Sequence, residues 1–256
     1  MKRRPITLIL PYYENPGMLC EQQRAWASLS LKTRDCLDVI VVDDGSPTSP
    51  ALPEVRMKTV RKFSLYRTAV DVRWNWLFCR NLGMQQARTD WVLMTDIDHV
   101  VPESTWVALM SRALDPDSAY RFSRVDAPHN GPWSPRPCAC GDEDCKGLTE
   151  YKAHPNTWFM TRKLFDRVGG YDERFSGYYG TDAEFRDRVT ATARQVVMLN
   201  EPLVRYPREI IPDASTTTYG RKEEQDRINV QRIRAEREAI PKWRPLRVTF
   251  RYEQLV

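Results

Sequence analysis

Two carboxylates that follow an apolar run are the residues of this sequence best suited to binding a cation. The run 91–94 is apolar and bounded by polar residues, which predicts a short buried strand of a parallel sheet. Asp96 and Asp98 follow it, and residues two apart in an extended chain point the same way. At the carboxyl end of a strand, such a pair can bind Mg²⁺ or Mn²⁺, which prefer oxygen ligands. The alternative is a solvated loop at the strand end.

A cysteine cluster is the second candidate metal site. Three cysteines lie within eight residues of a Pro- and Gly-rich stretch at 127–152: Cys138, Cys140 and Cys145. With His154 or His129 as fourth ligand, they could bind a structural Zn²⁺. The Cys-X-Cys spacing is less typical of zinc sites than Cys-X-X-Cys. Free thiols or a weak redox pair are therefore the alternatives.

The elements that must position these residues alternate between strands and helices, which predicts an α/β fold. The apolar patterns predict strands over residues 6–10, 37–42, 55–63 and 91–94, and helices over 19–31, 76–87 and 103–114. Pro11 ends the first strand, and the loop 11–17 is rich in Pro, Asn and Gly. A polar turn at 43–47 follows the second strand directly. A strand, a helix and a strand in succession form a parallel unit joined by a crossover.

Composition restricts the class of protein. With 256 residues, 41% hydrophobic and 29% charged, the chain has the size and balance of one large soluble domain. No apolar run approaches the roughly 20 residues of a membrane span, and the run 6–10 is too short for a signal-peptide core. We expect a cytoplasmic protein without a membrane span. The net charge of +5 fits a polyanionic partner without requiring one.

Four motifs in order resemble the GT-A glycosyltransferases of the large family two. They are the Pro-Tyr loop after the first strand, Val-Asp-Asp-Gly-Ser at 42–46, Arg-Asn-Leu-Gly at 80–83 ahead of the strand and Asp-X-Asp at 87–98, and the pair 169–173 and 180–185. The resemblance implies a Rossmann-like, mostly parallel sheet flanked by helices. It divides the chain into a GT-A domain over residues 1–210, with the cysteine-containing insertion at about 127–152, and a helix-strand extension over 211–256 packed on the same domain.

The same resemblance implies which residues form the site. The residues expected to contact a nucleotide sugar are Pro11, Tyr13, Asp43, Asp44, Arg80, Asp96 and Ile97. Asp98 would be the principal metal ligand, with Asp96 on the ribose or the metal, and the cation would stabilise charge on the departing diphosphate. His99 and His129 compete as third ligand, although His99 faces away from Asp98 in an extended chain and suits a supporting role.

Each of these assignments has a structural alternative. Asp44, with Asp43 beside it, would accept a hydrogen bond from the uracil-like edge of a base, but either carboxylate could instead cap the turn or the next helix. Arg80 would contact the nucleotide or its phosphates, whereas an arginine on a helix is usually a solvated surface charge.

Asp182 is the candidate general base. It follows the aromatic loop 177–180 and stands near the start of a helix predicted over 184–189, where the helix dipole favours an ionised carboxylate. The alternative is that Asp182 only caps this helix. The family usually has Glu-Asp here, and this chain has Thr181 in the first position. Glu173 is expected to be structural, and after Asp182 it is the next candidate together with Glu184.

The C-terminal region is rich in arginine. A charged helix is predicted over 221–238, with Ile228 and Ile233 as its apolar side, and a half-exposed strand over 246–252 with arginines outward. The helix carries Arg227, Arg232, Arg234 and Arg237. These form either a solvated face or the wall of an anionic acceptor groove.

Together these patterns predict a metal-dependent, inverting glycosyltransferase that uses a nucleotide sugar, UDP-linked by expectation. The acceptor would be a hydroxyl on a polymer, either a hydroxylated base in DNA, as in phage-type DNA modification, or a polysaccharide. The alternative is a non-catalytic module that binds sugar nucleotides or nucleic acid. Asp182 separates the two, because a binding module has no use for a carboxylate beside the sugar carbon.

Overall fold

A mixed sheet of nine strands forms the centre of the part of the protein that the structure describes. The computed structural model describes residues 3–51, 59–127, 153–207, 210–212, 223–240 and 242–256. The strands are β1 (Ile6–Tyr12), β2 (Leu37–Asp43), β3 (Lys62–Thr68), β4 (Trp91–Met94), β5 (His99–Val100), β6 (Ala119–Asp126), β7 (Trp158–Thr161), β8 (Val196–Arg205) and β9 (Tyr252–Gln254). Their order in the sheet is β5-β8-β6-β7-β4-β1-β2-β3-β9.

Helices cover both faces of this sheet. They are α1 (Pro16–Ser28), α2 (Leu31–Arg34), α3 (Trp76–Gln86), α4 (Glu103–Ser111), α5 (Arg162–Val168), α6 (Asp182–Thr192) and α7 (Glu223–Glu238), with a 3-10 turn at Glu173–Phe175. One core joins alternate residues of β1 and β2 to α1 and α4, and the other joins the intervening residues to α3, α5 and α6. The alternation follows from the two-residue period of a strand buried on both faces.

Strands β4, β1, β2 and β3 pair in parallel, so their carboxyl ends meet at one edge. All seven residues of β2 are buried, which explains its continuous apolar run. Beyond β4 the sheet is mixed, since β7 runs antiparallel to β4 and β6 while β6 and β8 are parallel. The predicted sheet flanked by helices is confirmed, with parallel pairing among β1–β4 and again between β6 and β8.

Glycine allows α3 to lie directly on β1. A Cβ atom at Gly83 would come within 2.4 Å of Cγ2 of Ile9. Any larger residue would push the helix off the strand, since such a contact is far inside van der Waals distance. The glycine of the Arg-Asn-Leu-Gly motif thus brings the neighbouring Arg80 to the edge where the strands end.

Several predicted element boundaries are wrong in the N-terminal half. β1 continues through Pro11 to Tyr12, because Pro11 sits in register opposite Val42 near the strand end, where one missing N–H is tolerated. α1 begins at Pro16, with Asn15 as its N-cap, and ends at Ser28. The third strand covers Lys62–Thr68, so the predicted range 55–63 is wrong at residues 59–61, and its residues 55–58 lie outside the described part. α4 ends at Ser111, three residues early.

The C-terminal predictions need larger corrections. Of the predicted strand 246–252, only Tyr252 is in a strand. It begins β9 (Tyr252–Gln254), which pairs antiparallel with β3. Val248 has a φ of +54°, which is incompatible with a strand. In α7, Val230 and Ile233 are buried, but Ile228 is 49% exposed, so the predicted apolar side is wrong at that position. Among the described residues, no helix is long and apolar enough to cross a membrane.

Candidate active site

The two acidic pairs lie at the same edge of the sheet. β2 and β4 both flank β1 in parallel register; β2 ends at Asp43, and Asp96 comes two residues after the end of β4. The pairing extends past the strands, since Asp44 N donates to Tyr12 O at 2.8 Å and Thr95 N to Ile9 O at 3.3 Å. Open α/β sheets bind their ligands at this carboxyl edge. Pro11, at the end of β1, lies at the same edge.

Asp43 and Asp44 are adjacent but have different partners. Oδ1 of Asp43 accepts from Ser46 N and Oδ2 from Ala51 N, both at 2.9 Å, so this side chain caps the turn. Oδ1 of Asp44 is buried and has no hydrogen-bond donor among the described residues. Burial raises the pKa of Asp44 well above its usual range, and the side chain of Asn75 partly offsets that rise. Asp44 is therefore the member of the pair with an oxygen available for a ligand donor.

Arg80 is buried and holds Asp96. Its Nη2 donates to Oδ1 of Asp96, and the side chain is inaccessible to solvent. The guanidinium carbon lies 4.5 Å from the ring centre of Trp76 and 5.7 Å from that of Tyr171. Stacking on aromatic faces stabilises a desolvated guanidinium. The alternative of a solvated surface charge is wrong, and Arg80 contacts the Asp-X-Asp turn at Asp96.

The backbone of the Asp-X-Asp turn is braced by a residue that the sequence analysis missed. Nε2 of Gln22, on α1, donates to Ile97 O at 2.9 Å and to His99 O at 2.8 Å. Ile97 itself packs its side chain into the core. A polar residue on the buried face of α1, between Leu19 and Trp26, was the only local signal for this role. A buried amide in such a position requires partners, but local sequence does not identify them.

Two histidines lie beside the turn. Nδ1 of His99 is 2.6 Å from Oδ1 of Asp98, and His99 is buried. Burial alone would raise the pKa of Asp98, but the interaction with His99 outweighs it and lowers the pKa to about 2. Nε2 of His154 lies 3.3 Å from Oδ2 of Asp96, and its ring centre is 4.9 Å from that of His99. Burial lowers the pKa of His154 to about 4, so its imidazole is neutral at pH 7.

A divalent metal fits the chemistry of these side chains. Within the residues described, no three His, Cys, Asp or Glu side chains are arranged as a ready ligand group. However, Asp98 is 39% exposed, and Oδ2 of Asp96 lies 3.3 Å from Nε2 of His154, whose imidazole is neutral. Carboxylate and neutral imidazole are ordinary metal ligands. The cysteines of the predicted zinc site, Cys138, Cys140 and Cys145, and also His129, lie outside the described residues.

Asp182 begins α6. Thr181 occupies the N-cap position, so Asp182 is the first helical residue, as the sequence predicted for a carboxylate near a helix start. Burial raises the pKa of the Tyr171 hydroxyl above its usual range, and the charges of Asp96 and Asp182 both add to the rise. Asp182 and the Asp-X-Asp turn therefore both lie within electrostatic range of Tyr171.

The two other acidic candidates are fully engaged. The carboxylate of Glu173 accepts from Asn81 Nδ2 at 2.7 Å, from Val248 N, and from Thr249 N and Oγ1 at 2.7 and 2.6 Å. Glu184 accepts from Arg234 and from Arg237, one to each oxygen. Each oxygen of both carboxylates already accepts a hydrogen bond, in keeping with a structural role for Glu173.

The loop after β1 contains Tyr13, the remaining residue predicted to contact a nucleotide sugar. The hydroxyl of Tyr13 lies 3.4 Å from Oδ2 of Asp71, and Tyr13 is partly exposed. The next residue, Glu14, accepts from Thr48 N and Ser49 N and fixes the neighbouring turn. Tyr13 thus stands at the surface of the same edge as Asp44.

Comparison with known proteins identifies the fold and the family of this chain. One similar solved structure is the mannosyltransferase PcManGT from Pyrobaculum calidifontis in complex with GDP-Man and Mn²⁺, with 17% identity over 79% of this chain and 57% of that one and a TM-score of 0.56. Another is S. aureus TarS 1–349 in complex with UDP-GlcNAc, with 16% identity over 93% of this chain and 68% of that one and a TM-score of 0.65. A third is GalNAc-T7 with UDP, GalNAc and Mn²⁺, with 12% identity over 80% of this chain and 44% of that one and a TM-score of 0.56. At such identities the likeness shows the GT-A fold.

The present chain spans just over half the length of the mannosyltransferase. Comparison with curated protein sequences found no match. The model of the family described as Glycosyl transferase family 2 matches residues 7–137, which is 131 of the 256 residues and includes both acidic pairs and Arg80. The chain therefore belongs to glycosyl transferase family 2.

Proposed function

We propose that this protein is a metal-dependent, inverting glycosyltransferase that moves a sugar from a nucleotide sugar to an acceptor hydroxyl. The observation that carries the proposal is the Asp96–Asp98 turn at the carboxyl end of β4, with Asp96 held by the buried Arg80. Two of the similar structures contain Mn²⁺, together with GDP-Man in one and with UDP and GalNAc in the other. Membership of the family supports the same chemistry.

Asp44 would recognise the nucleobase. Its buried, unpartnered oxygen would be satisfied by an N–H donor such as that of a uracil ring, which favours a UDP-linked sugar. An unsatisfied buried acceptor costs about 1–3 kcal/mol, and a ligand donor would recover part of that cost. Asp43 is committed to the turn and would support Asp44 indirectly.

Asp96, Asp98 and His154 would hold the divalent cation, Mn²⁺ or Mg²⁺. When bound, the cation would stabilise the negative charge that develops on the leaving diphosphate. The protein would prepare this site in advance, because Gln22 fixes the turn backbone and Arg80 fixes Asp96. A structural zinc at Cys138, Cys140 and Cys145 remains a separate proposal. His154, lying against Asp96, is better suited to the site at the sheet edge.

Asp182 would accept the proton of the acceptor hydroxyl as that oxygen bonds to the anomeric carbon. Attack from the side opposite the diphosphate inverts the configuration at that carbon. It is the first residue of α6, directly after the loop that contains Tyr179 and Gly180. Glu173 and Glu184 are unsuited to this role, since their oxygens are occupied.

A groove beside this helix would receive the acceptor. It has a volume of about 250 Å³ and is lined by Tyr179, Gly180, Arg227, Val230, Gln231 and Arg234. An aromatic ring, an amide and two arginines suit a polyhydroxyl or anionic polymer, and the net charge of +5 is compatible with DNA. We propose residues 1–210 as the catalytic domain and 211–256 as an extension that supplies one wall of this groove.

Ligand-dependent stability tests the nucleotide and metal sites. Thermal unfolding is measured with a panel of nucleotide sugars, with and without Mn²⁺, because a ligand at 100 times its Kd adds about 2.7 kcal/mol of stability. We expect the stabilisation by the preferred nucleotide sugar to depend on Mn²⁺ and to disappear in Asp98→Ala. Asp117→Ala is the matched control, since Asp117 is a half-exposed carboxylate that pairs with Arg167. Equal Mn²⁺-dependent stabilisation in wild type and Asp98→Ala would remove Asp98 from the metal site.

Transfer of labelled sugar separates the enzyme from a binding module. A preferred nucleotide sugar is incubated with hydroxylated DNA or with polysaccharide, and label in the polymer is counted. A module that only binds would show Mn²⁺-dependent stabilisation and neither transfer nor slow hydrolysis of the donor. Label in one polymer and not the other would identify the acceptor class.

A further inference from the structure

A carboxylate buried on the charged helix α7 links two loops of the site. Asp226 is 1% exposed, although the helix around it is mostly solvated. Its two oxygens accept from the two terminal nitrogens of Arg73, at 2.5 and 3.1 Å. Oδ2 also accepts from the backbone N of Tyr179 at 3.2 Å. A two-pronged pair of this kind fixes orientation as well as distance.

The two loops that meet at Asp226 belong to opposite sides of the site. Arg73 lies in the segment between β3 and α3, two residues before Asn75, whose side chain interacts with Asp44. Tyr179 lies in the segment that leads into Asp182. The rings of Trp74 and Tyr179 are also in contact, with centres 5.5 Å apart. Asp226 therefore connects the segment that precedes Asn75, near Asp44, to the segment that leads into Asp182.

The same helix also holds the start of α6, two to three turns further along. Glu184, two residues after Asp182, accepts from Arg234 and Arg237 of α7. Asp226 holds Tyr179, three residues before Asp182. The candidate base therefore lies between two attachments to one helix, and α7 is itself anchored in the core by Val230 and Ile233.

We propose that Asp226 is a positioning residue that sets the backbone ahead of Asp182 and couples it to the nucleotide-side segment through Arg73. This inference rests on the proposed function, in which Asp182 is the general base. α7 lies in the proposed extension, residues 211–256, while Arg73 and Tyr179 belong to the proposed catalytic domain. Loss of an ion pair that only stabilised the fold would not lower kcat while leaving KM unchanged.

Steady-state kinetics test the proposal with Asp226→Asn. We expect kcat to fall by about 10²-fold, the cost of a small misplacement of a reacting group, while KM for the nucleotide sugar stays within about twofold. Glu224→Gln is the matched control on the same helix, because Glu224 is 72% exposed and pairs only with Arg227 in the described residues. Unchanged kcat in folded Asp226→Asn, or an equal fall in the control, would overturn the proposal.

A second variant covers the chance that Asp226→Asn does not fold. Arg73→Gln removes the same pair from the other loop, and it should produce the same fall in kcat. The double variant should be no slower than either single variant, since both remove one interaction. Additive losses would mean that Arg73 and Asp226 act separately, which contradicts the proposed coupling.

Hydrogen exchange tests the positioning without requiring turnover. We expect amide exchange of residues 177–181 to speed up by about tenfold or more in Asp226→Asn and in Arg73→Gln, with the sheet unchanged and with Glu224→Gln like wild type. If the wild type transfers no sugar but this local change appears, the proposed function fails and the positioning stands. If exchange at 177–181 is unchanged, or if it rises throughout the protein, Asp226 does not position this segment and the inference is wrong.

Discussion

Arg80 and Asp96 form an ion pair in which the arginine is wholly buried and the carboxylate remains partly open to solvent. The guanidinium of Arg80 is stacked against Trp76 and lies near Tyr171, so its position is fixed by packing in the core. Asp96 then has one oxygen fixed by Arg80 and the other facing His154. The pair connects the packing of α3 on the sheet to the geometry of the Asp-X-Asp turn.

Arg80→Lys should reduce sugar transfer without weakening metal-free nucleotide binding. Lysine keeps the charge but loses the planar group that stacks on Trp76 and donates to Asp96. A displaced Asp96 should lower turnover by about 10²-fold, whereas calorimetric affinity for the nucleotide without metal should be unchanged. Arg88→Lys, at an exposed position, is the control. A loss of metal-free affinity would mean that Arg80 contacts the nucleotide directly.

His154→Gln should weaken Mn²⁺-dependent binding of the nucleotide. If His154 helps to hold the cation beside Asp96, its loss should lower the metal affinity by about tenfold or more, a cost seen even for residues that only support a ligand. Calorimetric titration with Mn²⁺ and nucleotide measures this. Elemental analysis of the same protein tests the other assignment. If the variant has normal Mn²⁺ affinity and a lower zinc content than the wild type, His154 is a zinc ligand with the cysteine cluster and does not bind Mn²⁺.

Asp182→Asn should retain nucleotide-sugar binding and lose turnover by about 10²–10⁴-fold, the usual contribution of a positioned base. Asparagine has nearly the same shape but cannot accept the proton. Asp187→Asn, five residues along α6 and largely exposed, controls for removal of charge from this helix. Circular dichroism and titration with the donor check folding and binding. Turnover near the wild-type value in the folded variant would exclude Asp182 as the base.

Glu173→Gln should destabilise the protein and loosen its C-terminal residues. In the wild type, the carboxylate of Glu173 accepts from the N–H groups of Val248 and Thr249 and from the side chain of Asn81. The side-chain NH₂ of glutamine would place a donor against these donors. Hydrogen bonds to a charged group contribute about 1.5–3 kcal/mol each, so we expect a loss of about 2–4 kcal/mol in denaturant unfolding. Glu236→Gln, on the exposed side of α7, should change stability by less than about 0.5 kcal/mol. Wild-type stability in Glu173→Gln would contradict the assigned contacts.

Local patterns in the sequence determined the buried parallel strands and the carboxylates that follow them. A strand covered on both faces is mostly apolar, as β2 is over residues 39–42, and the polar residues that follow such a run lie at the sheet edge. Asp44, Asp96 and Asp98 could therefore be assigned to one edge before any tertiary contact was known. The start of α6 at Asp182 was predictable for the same reason, since helix-start signals are local.

Only the tertiary structure decided what each of these groups contacts. Arg80 lies on a helix that is buried along most of its length, and no periodicity distinguishes such an arginine from a solvated one. His154 reaches Asp96 because β7 lies beside β4, although the two residues are 58 positions apart. Val248 leaves the strand conformation because Glu173, 75 residues earlier, binds its N–H. Burial and hydrogen bonding between distant segments depend on how the layers pack, and that packing is a property of the whole chain rather than of any local stretch.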